Sequence, residues 1–102
     1  MAGPAFFIYF DGSANTVALG ATSADIAIPA GSEFVGISTT GNCHFRIGSG
    51  VQTAVATDPL ITPNSEIQVV RVTGIPSPHI AVIQDAVTPN TGVLSVFKVA
   101  LQ

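Results

Sequence analysis

The sequence predicts an all-β fold: one antiparallel β-sandwich or barrel spanning residues 1–102, with a jelly roll among the forms it allows. Three observations carry this. Val, Ile, Thr, Ala, Gly and Pro dominate the composition, which is the vocabulary of strands and turns. Turn signals recur at short intervals, from Asp11-Gly12 and Pro29-Ala30-Gly31 through Gly41-Asn42 and Gly48-Ser49-Gly50 to Thr62-Pro63-Asn64, Ile75-Pro76-Ser77-Pro78 and Pro89-Asn90-Thr91-Gly92. No stretch sustains a 3.6-residue apolar period. The nearest is Ala21–Ala30, but Ile26 and Ile28 are β-branched and Pro29 ends it, so it reads as a strand.

The runs between turns give the expected strands: Phe6–Phe10, Thr16–Leu19, Asp25–Ile28, Phe34–Thr39, Cys43–Ile47, Val51–Thr57, Glu66–Val72, His79–Asp85 and Val93–Ala100. Alternation assigns their faces. In His79–Asp85, Ile80 and Val82 share one side, and His79, Ala81, Ile83 and Asp85 the other. In Val93–Ala100, Leu94, Val96, Lys98 and Ala100 oppose Val93, Ser95, Phe97 and Val99. Two segments are apolar on both sides. Phe6-Phe7-Ile8-Tyr9-Phe10 puts Phe6, Ile8 and Phe10 against Phe7 and Tyr9. Glu66–Val72 puts Ile67 and Val69 against Val70 and Val72. A two-sided apolar strand is either covered on both faces or part of an interface. Phe7, Tyr9, Val70 and Val72 are therefore the candidate subunit-interface residues, and a homo-oligomer, a dimer or trimer, is expected.

Composition also bounds function. Charged residues make up 9% of the chain, against roughly 25% in ordinary soluble domains. The surface must then be neutral and polar, or covered by a partner. The net charge is −3, and Arg46, Arg71 and Lys98 are the whole basic complement. Three scattered cations argue against nucleic acid and against anionic lipid. Cys43 is the single cysteine, so no internal disulfide forms and a reducing cytoplasm is tolerated. Met1-Ala2-Gly3-Pro4 lacks a cationic leader, and the apolar run after it is too short to span a bilayer.

No catalytic, cofactor or metal site is expected. Cys43 and His44 are neighbours on a strand and point to opposite faces, and distant His79 does not complete a zinc set. Asp11-Gly12-Ser13-Ala14-Asn15 opens like a calcium loop, but Thr16 and Thr22 stand where its Gly and Glu belong. His79, Asp85 and a serine can be combined on paper, yet no G-x-S-x-G elbow exists. Gly48-Ser49-Gly50 is followed by neither a lysine nor a helix start, so it reads as a tight turn and not a phosphate cradle. The carboxylates Asp11, Asp25, Glu33, Asp58, Glu66 and Asp85 are dispersed, and no two are marked as a glycosidase pair.

The second half has a cadence of its own: Phe45-Arg46-Ile47-Gly48, Ala54-Val55-Ala56-Thr57-Asp58-Pro59-Leu60-Ile61, Pro63-Asn64-Ser65-Glu66, Val69-Val70-Arg71-Val72, His79-Ile80-Ala81-Val82-Ile83-Gln84-Asp85 and Thr91-Gly92-Val93-Leu94-Ser95-Val96. Over residues 45 to 100 this resembles the small β-structured decoration, or cement, proteins on the heads of tailed bacteriophages. The resemblance implies a non-enzymatic virion protein, made in the host cytoplasm and carried on the capsid surface. It would bind the major capsid protein and bridge its subunits. The alternatives are another virion component (tail, adaptor or fibre protein) and a jelly roll that binds carbohydrate or a small ligand. The resemblance assigns no residue a role.

Overall fold

In the computed structural model, which describes residues 8–10, 14–29, 31–63, 67–87 and 91–101, nine strands form two antiparallel sheets and no helix is present among those residues. The strands are β1 (Ile8–Phe10), β2 (Asn15–Ala18), β3 (Ala24–Ala27), β4 (Phe34–Thr39), β5 (Cys43–Ser49), β6 (Leu60–Ile61), β7 (Gln68–Arg71), β8 (Pro78–Gln84) and β9 (Val93–Leu101). The first sheet runs β1-β9-β4-β7, with β2 also on β9; the second runs β3-β8-β5-β6. Val99 pairs with both Phe10 and Phe34, and Val96 with both Asn15 and Ile37. Strands β1 and β2 therefore lie end to end along one side of β9, with β4 on the other.

The pairings reveal how the chain is wound. β2 pairs β9, β3 pairs β8, β4 pairs β7 and β5 pairs β6, all antiparallel. That is one long hairpin ribbon with its bend between β5 and β6. Rolling the ribbon brings β4 against β9 and β5 against β8, which closes the two layers. Strand orders 2-9-4-7 and 3-8-5-6 are those of a jelly roll. Backbone bonds carry the ribbon between the layers: Leu19 N–H donates to Gly92 O at 2.9 Å, and Gln84 N–H to Gly20 O at 2.9 Å.

Alternation decides which side chains fill the space between the sheets. Val17, Val35, Ile37, Val72, Leu94 and Val96 come from the first sheet, and Ile28, Cys43, Ile61, Ile80 and Val82 from the second. All are buried, and no polar or charged side chain is buried with them among the described residues. Ala24, Ile26, Phe45, Ile47, Val70 and Ile75 pack on this core from its margins. The faces expected for the His79 and Val93 strands are the faces observed.

Two expectations need correction. Residues 51–57 are not a strand; the ladder place beside β5 is taken by β6. Three N–H groups of the segment are satisfied by side chains instead of a strand: Gln52 N–H by Asp25 Oδ2 at 2.9 Å, Ala54 N–H by Ser23 Oγ at 2.8 Å and Val55 N–H by Asp58 Oδ2 at 2.9 Å. β6 itself is held to two residues between Pro59 and Pro63, neither of which can donate to a ladder. The second correction concerns β7. Val72 is 2% exposed and belongs to the core, and partly buried Val70 packs against it, so both face inward. The open side of this strand carries Ile67 and Val69, at 46% and 37% exposure.

On the outward face of the first sheet, Phe97 is 5% and Val99 3% exposed although both point away from the core. Gly36 is the register partner of Phe97 on one side and Val69 on the other. A methyl group at Gly36 would strike the Phe97 ring, lying 2.6 Å from its Cζ, and would sit 3.1 Å from Ile67 Cγ2. The glycine leaves the room that the aromatic ring fills across the strands. Gly36→Ala is therefore expected to destabilise the fold by about 1–3 kcal/mol through overpacking. Chemical denaturation should show it, and the penalty should shrink in a Phe97→Leu background. Equal penalties in both backgrounds would show that the ring is not the obstacle.

Candidate functional site

The outward face of the second sheet is where the charged chemistry collects. Register places Asp25, Ala81 and Arg46 side by side across β3, β8 and β5. The next outward row is Ala27, His79 and Gly48, and on the opposite flank lie Ile83, His44 and Leu60. His79 Nδ1 lies 2.8 Å from Asp25 Oδ1. His44 Nε2 lies 3.2 Å from Asp85 Oδ1, and its Nδ1 is 2.8 Å from the Asp58 carbonyl oxygen. Arg46 donates to Asp58 Oδ1 from its terminal nitrogen at 3.0 Å and from Nε at 3.3 Å.

These groups anchor residues 52–58. Asp25 holds the start of the segment through Gln52 N–H, and Arg46 holds its end through Asp58. Asp25 and Arg46 are the register partners of Ala81, so the segment is tied to the strands on both sides of it. This accounts for the burial: Ala81 is 0% exposed on an outward face, and Ala54 in the strap is 2% exposed.

Among the described residues, each histidine ring pairs with a carboxylate. His79 and Asp85, which can be combined on paper, are not paired here: Asp25 meets His79 and Asp85 meets His44. Among the described residues no serine or threonine hydroxyl bonds either ring, and Asp25 spends its second oxygen on the strap. Nucleophilic catalysis needs a hydroxyl or thiol within hydrogen-bond reach of the base. Cys43 does not supply one. It sits in the core, its thiol donating to Thr39 Oγ1 at 3.6 Å, and burial pushes its pKa up. No group of three or more His, Cys, Asp or Glu among the described residues could hold a metal ion.

Of the candidate interface residues, Phe7 lies outside the described residues. Tyr9 is in β1, opposite Ala100 of β9. Val70 and Val72 are turned inward, as described above. Val70 and Val72 are the two of the four whose side chains are described. What alternation missed was which side of the Glu66–Val72 strand the core would take, because both sides read as apolar. The outward apolar group is instead Ile67 and Val69 beside the Phe97–Gly36 contact. No helix among the described residues is long and apolar enough to cross a membrane. No family model matches the chain, and neither the curated proteins nor the solved structures yield a match.

Two outcomes follow. The Val55 N–H bond, then the Arg46 side chain, hold the Asp58 carboxyl below its ordinary value of 3.8. The stabilisation is present above that ordinary value and is lost as pH falls through the lowered one. The strap should therefore loosen on acidification below about pH 4, with Val55 amide exchange several-fold faster, once intrinsic rates are corrected for pH, before the core unfolds. Asp58→Asn should show the same loosening at neutral pH; unchanged Val55 protection in that variant would remove Asp58 from this role.

The Cys43 thiol should be unreactive toward an aromatic disulfide reagent in the native protein and react fully in denaturant. Cys43→Ser should cost about 1–3 kcal/mol, because it places a hydroxyl in the apolar core. Rapid native-state labelling would contradict the buried position.

Proposed function

We propose that this protein is a non-enzymatic structural component of a tailed-phage head, bound to the outside of the capsid and bridging major capsid protein subunits. The observation that carries this reading is the outward face of the first sheet at β7. There Ile67 and Val69 remain open to solvent at the terminal strand of the sheet, next to the Phe97–Gly36 contact. Most of the described charge on the second sheet is spent inside the protein, on the His79–Asp25, His44–Asp85 and Arg46–Asp58 pairs. A chain that is 9% charged and leaves apolar side chains on an outer strand is suited to binding another protein. The resemblance over residues 45 to 100 supplies the identity of that partner.

The mechanism is multivalent bridging. Each copy, acting as part of a dimer or trimer, contacts several capsid subunits, so modest contacts add through effective concentration. Opening the shell then has to break the bridges as well as the capsid's own contacts. The β7 edge offers main-chain groups for strand addition, with Ile67 and Val69 as the apolar anchors.

The test compares heads with and without the protein during heating and osmotic shock. Retention on the head with slower genome release is expected. Ile67→Asp combined with Val69→Asp should cut retention at least about 10-fold, the equivalent of 1.4 kcal/mol of lost contact, while the far-ultraviolet spectrum stays all-β. Equal release rates with no retention would reject the reading. Retention confined to the tail or neck would reassign the protein to another part of the virion.

A further inference from the structure

The first sheet ends at β7, and the bonds of its ladder fix which main-chain groups that edge presents. Val72 N–H donates to Glu33 O at 2.9 Å, and the same antiparallel register continues through Val35↔Val70 and Ile37↔Gln68. In an antiparallel ladder, bonded pairs alternate with unbonded ones. Residues 68, 70 and 72 therefore spend their N–H and C=O groups on β4. Those of Val69 and Arg71, with Ile67 next in the same alternation, point away from the sheet. We infer that this edge pairs with the same edge of a second copy of the chain, antiparallel about a two-fold axis at Val69.

Three observations select a second copy. The first is that the other described edges are closed to a long ladder. β6 has two residues between Pro59 and Pro63. β3 gives the Ala27 carbonyl to Asn15 Nδ2 at 3.5 Å and is tied through Asp25 to residues 52–58. β1 and β2 share one side of β9 as separate pieces of three and four residues. Gln68–Arg71 carries no proline and runs without a break, so it is the edge that two identical chains have to offer each other.

The second observation is that the row Ile67, Val69, Arg71 is complementary to its own reverse. With Val69 on the axis, Val69 faces Val69 of the second copy, and Ile67 faces Arg71 of the second copy at both ends. Each outward N–H and C=O of the three residues then finds a mate, and the methylenes of Arg71 lie over an aliphatic side chain. The third is charge. Arg46 is spent on Asp58, whereas Arg71 is exposed and makes no ion pair among the described residues. Each copy carries a net −3, so the β7 edge brings a cation toward a net-negative neighbour. An axis at Arg71 would set cation on cation; the axis at Val69 separates the two Arg71 positions by about 13 Å, four residues along a strand.

The pairing specifies the dimer used in the capsid reading, but it does not rest on a capsid, since it forms in solution. It joins two first sheets into one and places Ile67 and Val69 of both copies side by side on the outward face.

Sedimentation equilibrium of the full chain tests it. A dimer is expected at about 100 µM, as suits a small interface, and a chain still monomeric at about 1 mM would overturn the inference. Val69→Lys and Val69→Asp each put like charges on the axis and should weaken dimerisation at least about 5-fold. Both should keep an all-β far-ultraviolet spectrum, because the Val69 side chain is on the open side of the strand. Mixed in equal amounts, the two variants should restore a dimer containing one copy of each. Undiminished dimers in the separate variants would overturn the pairing, and so would a mixture that stays monomeric. A solution dimer that no phage head retains would support the pairing and reject the capsid reading. Heads that retain a protein monomeric at about 1 mM would do the reverse.

Discussion

The double-sided pairing of β8 and β9 is the constraint on which the rest depends. β9 is hydrogen-bonded to β1 and β2 along one side and to β4 along the other, and β8 to β3 and β5. These two strands turn a long hairpin ribbon into two closed layers. They also supply Leu94, Val96, Ile80 and Val82, which are completely buried. Because β2 meets β9 only when the two ends of the chain come together, the layers are built from non-local pairings. Such topologies pay their loop-closure entropy before the contacts return it, which makes folding slow and the unpaired edges vulnerable meanwhile. The apolar content of the chain is matched to that demand, with Leu94 and Val96 of β9 and Ile80 and Val82 of β8 between the sheets.

The two outward faces solve different problems. On the second sheet, acceptor side chains from Ser23, Asp25 and Asp58 replace a ladder for residues 52–55, and the charged side chains cancel one another locally. On the first sheet, an aromatic ring lying over a glycine fills the space, and Ile67 and Val69 stay open beside it. The contrast is what separates a self-contained face from one available to a partner. It also puts the carboxylate of Glu33, at the end of the sandwich, outside both networks.

Most of the fold was legible because period-2 alternation is imposed by the pleat itself. In His79–Asp85 and Val93–Ala100 alternation grouped the side chains that share a face, and packing decided which group lies between the sheets. Val51–Thr57 misled for the same reason: its alternation is strand-like, and nothing local reveals that Asp25 and Ser23, far back in the chain, will take its N–H groups. The Glu66–Val72 strand was ambiguous because both sides are apolar, and only packing against Val35 and its neighbours turns Val70 and Val72 inward. The charge pairs were illegible because they depend on register. That His79 meets Asp25 follows from β3 lying beside β8 with Ala27 opposite His79, and no spacing in the sequence encodes that alignment.

The strap over Ala81 has a mechanical consequence. β3 is an edge strand, paired only with β8 among the described residues. An edge strand held by one ladder can be peeled, bond after bond, under a modest pull. Here residues 52–58 tie Asp25 on β3 to Arg46 on β5, bypassing β8 altogether. A load that draws β3 sideways is passed through the strap to the far strand, so the sheet resists as a braced panel and not as a zip. Such a cross-tie spreads tension over three strands at once.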